Sequence, residues 1–505
     1  MTILSYKEYP EKPVVIDNLS AVFMRQSRFV PLNMDRDVLR IAMADPEDFY
    51  TIDTLKLACN LNVEACRGKE EDILEAIERL YGSGSESMEM IIEEAGKDTG
   101  DISSGEVIDA EHLRDMASEA PIIRLVNRLI LNAVEAGASD IHFEPFENEF
   151  KVRYRIDGVL HNAESPPHRL KDAIISRVKI MAKMDIAERR LPRDGRIKLK
   201  VLDREIDFRV STLPTMFGES LVMRVLDREA LILDLEKLGL PDWLLPQYID
   251  LITKPYGMIL VTGPTGSGKT TTLYTTLAKI NSPENKIITL EEPVEYQLRG
   301  INQIQVNTKI GMTFASGLRS IVRQDPDIIL VGEIRDRETA ETAIQSALTG
   351  HLLFSTLHTN DAAGAITRLL DIGVENFLLS STLLGILAQR LVRVICPNCK
   401  KRIEPEVKLL KAMNLSAEEV SRVTFFAGQG CDLCNNTGFK GRIGIFEYIP
   451  VDDDIRKEIT ARSSTERIKA VAQEKGLLTL RQDGWNKVKN GITTISEVLR
   501  VTLEK

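Results

Sequence analysis

Along FKVRYRID (150–157), apolar Val152, Tyr154 and Ile156 alternate with charged Lys151, Arg153, Arg155 and Asp157. A period of two puts the first set on one face of a β-strand and the second on the other. The alternation returns at GRIKLKV (195–201) and REIDFRV (204–210), so residues 116–230 are predicted to hold a mixed sheet with one wet, strongly basic face. The stretch before it, APIIRLVNRLILNAVEAG (120–137), has apolar residues at helical spacing and ends at Gly137, which suits a left-handed helix stop. From 240 to 395 the pattern changes. Short apolar runs at GMILVTG (257–263), IITLEE (287–292), IILVGE (328–333) and LLFSTLH (352–358) alternate with helical stretches. That is the pattern of a mostly parallel sheet covered by helices.

The ends of the chain read differently. LRIAMA (39–44) and NVEAC (62–66) are predicted strands, and EEDILEAIERL (70–80) a helix with Ile73, Leu74, Ile77 and Leu80 inward. Asp45 and Pro46 suit the cap and first turn of an earlier helix. Between Gly82 and Asp115 stand ten acidic and two basic residues without a sustained apolar face, a mobile acidic linker with a short helix at MEMIIEEA. STERIKAVAQEKG (464–476) reads as a capped helix in a helical C-terminus. The resulting division is a front α/β domain (1–81), linker (82–115), mixed α/β domain (116–238), parallel-sheet core (239–395), cysteine subdomain (396–440) and helical C-terminal subdomain (441–505).

At 505 residues the chain is too long for one core. Its net charge of −10 and aromatic content of 5% argue against a nucleic-acid translocase. No apolar run approaches the ~20 residues of a membrane span; the best, Phe377 to Val392, is broken by Ser380, Ser381, Thr382, Gln389 and Arg390. A basic-then-apolar leader is absent from MTILSYKEYPEKP. The expectation is a cytoplasmic protein that meets a membrane only through partners.

The chemistry concentrates in GPTGSGKTT (263–271). Gly263, Pro264, Thr265, Gly266, Ser267, Gly268, Lys269 and Thr270 match G-x-x-x-x-G-K-[ST], between an apolar strand and the helix candidate TTTLYTTLAKI (270–280), with Thr271 in its first turn. Backbone N–H groups of such a loop cradle phosphates, Lys269 reaches the β and γ phosphates of ATP, and the Thr270 hydroxyl holds Mg²⁺. Open parallel sheets bind ligands beyond the carboxyl ends of their strands. There the sequence places Glu291 and Glu292, Glu333, and Thr356, His358 and Asn360. Cys396-Pro-Asn-Cys399 and Cys431-Asp-Leu-Cys434 lie 31 residues apart, with Gly428, Gly430 and Gly438 flanking the second pair. Two such turns form an S₄ cage, read as a structural Zn²⁺ site, with a redox pair and an iron–sulfur centre as the weaker alternatives. Cys59 and Cys66 read as core residues.

GPTGSGKT, TLEEPVEY (289–296), RQDPDIILVGEIRD (323–336) and LTGHLLFSTLHTNDA (348–362) occur in the order found in the secretion ATPase superfamily, and CPNC, CDLC, GRIGIFEY and LLGILAQRLVR narrow the match. The chain resembles a type II secretion assembly ATPase, with the type IV pilus extension ATPase close behind. Retraction ATPases generally lack the long front region and the four cysteines. The resemblance implies a RecA-like ATPase core preceded by a PAS-like domain, working as a homo-hexamer. It implies docking on an inner-membrane platform protein through residues 1–81, hence a peripheral place on the cytoplasmic face. It makes Glu333 the Walker B base or water-orienting residue and places Glu292 in the acidic box, where the family usually has aspartate. It puts His351 and His358 in the histidine box, with His358 a γ-phosphate sensor. Arg209 and Arg224 are directed at nucleotide phosphate, with Arg319 and Arg323 a further basic pair near the site. Without the family, Arg209 and Arg224 read as charges on a wet strand face. Some relatives bind cyclic di-GMP through the front domain; this chain shows no arginine- and glycine-patterned repeat for it. A regulatory module with a vestigial ATPase is the remaining rival, opposed by the intact Lys269 and Glu333.

Overall fold

A computed structural model describes residues 27–35, 38–59, 61–81, 110–202, 204–227 and 234–503, together with 9, 10, 14, 16, 23 and 24. In the front domain β1 (Phe29–Asp35) pairs antiparallel with β2 (Val38–Met43), and β2 pairs parallel with β3 (Asn62–Arg67). Parallel neighbours need a crossover, supplied by α1 (Phe49–Cys59). Asp48, not Asp45, caps α1, its Oδ1 accepting the Thr51 backbone N–H at 3.1 Å. Asp45 turns the chain two residues earlier by accepting the Glu47 N–H. From α2 (Glu70–Tyr81), Ile73 and Ile77 pack on Phe29, Leu39 and Ile41, while Leu74 is exposed. Cys66 is half-buried beside Arg40 rather than in the core, and the Cys59 side chain lies outside the described residues. So does the acidic stretch 82–109 with MEMIIEEA. The last residues read as linker instead form α3 (Ala110–Met116), anchored by buried Leu113.

α4 (Ala120–Glu135) ends before Gly137, which adopts φ +68°. β4 (Ala138–Pro145), β5 (Phe150–Ile156), β6 (Val159–Asn162), α5 (Lys171–Met181), β7 (Arg193–Val201), β8 (Arg204–Thr215) and β9 (Gly218–Asp227) follow. The strands form one sheet in the order β6-β5-β4-β9-β8-β7. Every pairing in it is antiparallel, which corrects the expected mixed sheet. Short hairpins make four of the five pairings, and α5 carries the chain between opposite edges without creating a parallel pair. α4 and α5 cover one face, burying Leu125, Leu129, Ile174 and Val178 against Ile141, Phe143, Val152 and Phe208. The other face is not simply basic. Arg153 pairs with Glu144 at 2.6 Å, Arg155 with Asp140 at 3.6 Å, and Arg196 with Asp207.

The core contains α6 (Leu244–Ile252), β10 (Gly257–Thr262), α7 (Lys269–Ile280), β11 (Ile287–Glu291), β12 (Asn302–Gln305) and α8 (Phe314–Ile321). It continues through β13 (Ile328–Val331), α9 (Arg337–Leu348), β14 (Leu352–Leu357), α10 (Ala362–Asp371), α11 (Asn376–Thr382) and β15 (Leu383–Ile395). β10, β13 and β14 are buried along their whole length, which is why they read as continuous apolar runs. The cysteine subdomain holds the β16 (Lys400–Ile403) and β17 (Phe425–Gly428) pair with two short helices, α12 (Val407–Ala412) and α13 (Ala417–Ser421). The chain then returns as β18 (Phe439–Pro450), antiparallel to β15, completing a sheet of order β12-β11-β13-β14-β10-β15-β18. Residues up to Pro450 therefore belong to the core sheet, not to the helical end. Four helices close the chain: α14 (Asp453–Thr460), α15 (Thr465–Glu474), α16 (Leu480–Lys489) and α17 (Ile495–Thr502).

Candidate active site and four-cysteine centre

The loop after β10 turns into α7 through Gly268 at φ +90°. A Cβ there would stand 2.7 Å from Gln389 Nε2, and one on Gly263 2.5 Å from the Gln389 carbonyl. β15 crowds the loop from behind, so these positions require glycine on steric grounds as well as conformational ones. This also explains the polar break in β15. Gln389 accepts from the Thr272 hydroxyl at 2.7 Å, and Arg390 donates to the Asn360 carbonyl at 3.0 Å. Lys269 Nζ donates to the carbonyls of Gly263 (2.7 Å) and Pro264 (3.1 Å). Burial pushes this ammonium down to about 8, with the Glu333 carboxylate opposing the shift and Arg390 adding to it.

The loop opens into a cavity of about 1280 Å³ shared with the six-stranded domain and the C-terminal helices. Pro264, Thr265, Gly266, Ser267 and Thr270 line it, facing Arg224, Arg390 and Arg442. Thr271 lies half-buried in the first turn of α7. The residues fit a nucleoside triphosphate: the α7 N-terminus and three guanidinium groups would face its phosphates, and the buried Ser267 hydroxyl has no hydrogen-bond partner among the described residues.

The strand ends converge beside this loop. After β13, the Gly332 N–H donates to Leu290 O at 2.8 Å and the Thr356 hydroxyl to Gly332 O at 2.7 Å, fixing the backbone that carries Glu333. Glu333 Oε2 lies 3.2 Å from His358 Nε2, and its Oε1 accepts from Arg335. The same guanidinium reaches Glu292 at 3.0 Å. Glu291 behaves differently: it is buried and accepts from Thr289, Tyr274 and Gln303, an anchor for the sheet end. His351 sits at the opposite end of β14, its Nδ1 2.8 Å from Ser346 O, and takes no part in the cluster.

Arg209 and Arg224 are direct cross-strand neighbours on β8 and β9. Arg209 donates to Val294 O at 2.9 Å and pairs with Glu295 at 3.0 Å, across the domain boundary, just beyond the acidic box. Arg224 pairs with Asp140 at 3.0 Å. Glu295, Asp140 and Arg224 all line the P-loop cavity. Arg319 and Arg323 do not. Arg319 pairs with Glu338 on the α8–α9 side of the sheet, and Arg323 donates to Arg319 O at 2.7 Å. Arg335 and Arg390 were the residues missed in the sequence. Each stands inside a motif of the chain, but no periodicity marks either the exposed Arg335, which bridges two carboxylates, or the buried Arg390, which holds Asn360.

The four cysteine sulfurs lie within 4.8 Å of one another, with separations of 3.8 Å (Cys396–Cys431), 3.9 Å (Cys399–Cys434) and 3.7 Å (Cys431–Cys434). A tetrahedral ion bonded to sulfur at ~2.3 Å has S···S edges of ~3.8 Å, so the donor set fits such an ion. The Asn398 amide and the Gly438 N–H each donate to a sulfur at 3.3 Å, favouring thiolates.

A P-loop after a central parallel strand, beside a glutamate ending a nearby strand, defines a RecA-like ATPase. Residues 115–500 match the family described as type II/IV secretion system protein, and residues 1–87 match the MshEN domain. The chain is 51% identical over 493 residues to type II secretion system protein E of Xanthomonas campestris, covering 98% of this chain and 86% of that protein. It is 44% identical over 499 residues to the type IV pilus assembly ATPase PilB of Myxococcus xanthus, covering 98% and 88%. The crystal structure of the pilus retraction motor PilT with bound ADP superposes at TM-score 0.50 and 28% identity, covering 74% of this chain and 96% of that one. This chain belongs to the type II/IV secretion system protein family and is a secretion ATPase.

Proposed function

We propose that this chain is the assembly motor of a type II secretion system, hydrolysing ATP to build a pseudopilus and drive protein export. The observation that carries the motor reading is the placement of Arg209 and Arg224. They stand on a domain separate from the P-loop, each paired to a carboxylate at the rim of its cavity. Lys269 and the loop N–H groups bind the phosphates, and the Thr270 hydroxyl would hold a Mg²⁺ ion, which would supply charge neutralisation at the phosphates. Glu333 orients the attacking water and accepts its proton, with Glu292 alongside. His358, in contact with Glu333, senses the γ-phosphate. Arg209 and Arg224 exchange their carboxylate partners for phosphate as the six-stranded domain closes. Guanidinium groups so supplied contribute ~10³–10⁵ in rate in phosphoryl transfer. Closure and hydrolysis are thereby one event, and a homo-hexamer turns successive closures into stepwise motion.

The four cysteines hold Zn²⁺ as a structural ion. The front domain docks on an inner-membrane platform protein, placing the motor at the cytoplasmic face; among the described residues no helix is long and apolar enough to span a bilayer. Nucleic acid is not a partner. A second reading, the type IV pilus extension motor, draws on the 44% identity to PilB across the same span. Affinity capture of residues 1–81 with its membrane partner separates the two: a secretion platform supports the first reading, a pilus platform the second. Loss of ATP turnover in Lys269→Ala tests the ATPase itself, and turnover that survives overturns it.

A further inference from the structure

We infer that Arg335 is a positioning residue for ATP hydrolysis, bridging Glu333 and Glu292 so that the two carboxylates keep one fixed arrangement beside the P-loop. The inference rests on the reading of Glu333 as the water-orienting residue. The two glutamates follow neighbouring parallel strands, β13 and β11, whose last paired residues are Val331 and Leu290. Two like charges at adjacent strand ends repel, and an unheld glutamate has three rotatable bonds through which to swing away. The backbone beneath Glu333 is already pinned by the Gly332 and Thr356 hydrogen bonds, so the side chain is the remaining freedom. Arg335 removes it. One arm of the guanidinium donates to Glu333 Oε1, and the other reaches Glu292 Oε2 at 3.0 Å. Glu333 Oε2 is left toward His358, 3.2 Å away.

A bland surface ion pair would have one partner, and most such pairs contribute little. Arg335 differs in having two partners, Glu333 and Glu292, which follow separate strands of the sheet. It is 61% exposed while Glu333 is 16% exposed. The arginine therefore closes over the glutamate from the solvent side, where a planar two-armed cation is required. A lysine ammonium presents its donors from a single point, without the planar fork that spans two carboxylates set apart on separate strand ends.

The test is steady-state ATPase kinetics on the full chain for Arg335→Ala, Arg335→Gln and Arg335→Lys, with Glu333→Gln as reference and melting temperature measured for each. Misplacing a catalytic group by about 1 Å costs about 10²-fold. Arg335→Ala and Arg335→Gln are expected to lower kcat by about that factor. KM for ATP should stay within about threefold and the melting temperature unchanged, because the arginine is exposed and does not touch the phosphate loop. Arg335→Lys should recover little. Full activity in Arg335→Lys would show that charge alone suffices and overturn the bridging role. A kcat within twofold of the parent in both neutral variants, or a fall in kcat matched by melting temperature and KM, would overturn the inference. If Glu333→Gln itself retains turnover, the assignment of Glu333 has failed instead, which the parallel measurement separates.

Discussion

Glu295→Gln should make this enzyme bind ATP more tightly. Arg209 is held on Glu295 at 3.0 Å and on Val294 O at 2.9 Å, and the side chains of Arg209 and Glu295 are 27% and 28% exposed. A hydrogen bond to a charged partner is worth ~1.5–3 kcal/mol when well shielded, and solvent screening at this exposure reduces it to about 1–1.5 kcal/mol. Arg209 must leave this contact to meet phosphate, so the pair opposes closure by that amount. Neutralising Glu295 keeps the shape and the Val294 bond but weakens the hold, raising the closure-competent population about 5- to 13-fold. The apparent KM for ATP should fall by the same factor, with kcat changed less than twofold. Phosphate release across an ATP titration measures both, and the effect should shrink at high salt, where partly exposed pairs are screened. The decisive control is the Arg209→Ala background, in which Glu295→Gln has nothing left to release. An unchanged KM, or an equal fall in both backgrounds, would refute the competition between Glu295 and phosphate.

Lys269 yields a pH prediction. Burial holds its ammonium down at about 8, and only the protonated form attracts phosphate, so kcat/KM for ATP should fall as pH rises through about 8; a profile flat to pH 10 would refute it. Metal analysis should find one zinc per chain, and a Cys396→Ser, Cys431→Ser variant should lose it and unfold its subdomain at lower temperature. Glu497 is buried, which alone would raise its pKa, but bonds from Arg500 and Arg393 outweigh burial and hold it at about 2 against an ordinary 4.5. Its contribution is therefore complete above pH 4.5 and lost as pH falls toward 2. Glu497→Gln should cost ~2 kcal/mol at pH 7 in denaturant titrations, with the gap narrowing below pH 4.

The core was legible because its signals were one-dimensional. Runs such as IILV are buried on both faces, and the P-loop is contiguous in sequence. What failed was anything decided by a distant partner. The basic face of FKVRYRID acquired its neutralising Glu144 and Asp140 only when β4 paired beside β5. The last core strand, β18, lies beyond a cysteine excursion, so its membership of the sheet was invisible to local pattern. Asp48 won the α1 cap over Asp45 because a turn intervenes, a boundary shift that local propensity does not resolve. In the site, Glu292, Glu333 and His358 were singled out because the sheet's carboxyl edge is a known location for chemistry, and the structure brings the three side chains into one cluster. Arg335 was passed over because its role depends on two glutamates from different strands.

The central claim is that hydrolysis needs the arginines of the six-stranded domain. Single-turnover ATP cleavage by assembled Arg209→Ala/Arg224→Ala protein, with nucleotide saturating, measures this directly. The account predicts cleavage slowed by ~10³-fold or more with nucleotide still bound; cleavage at the parent rate would contradict it.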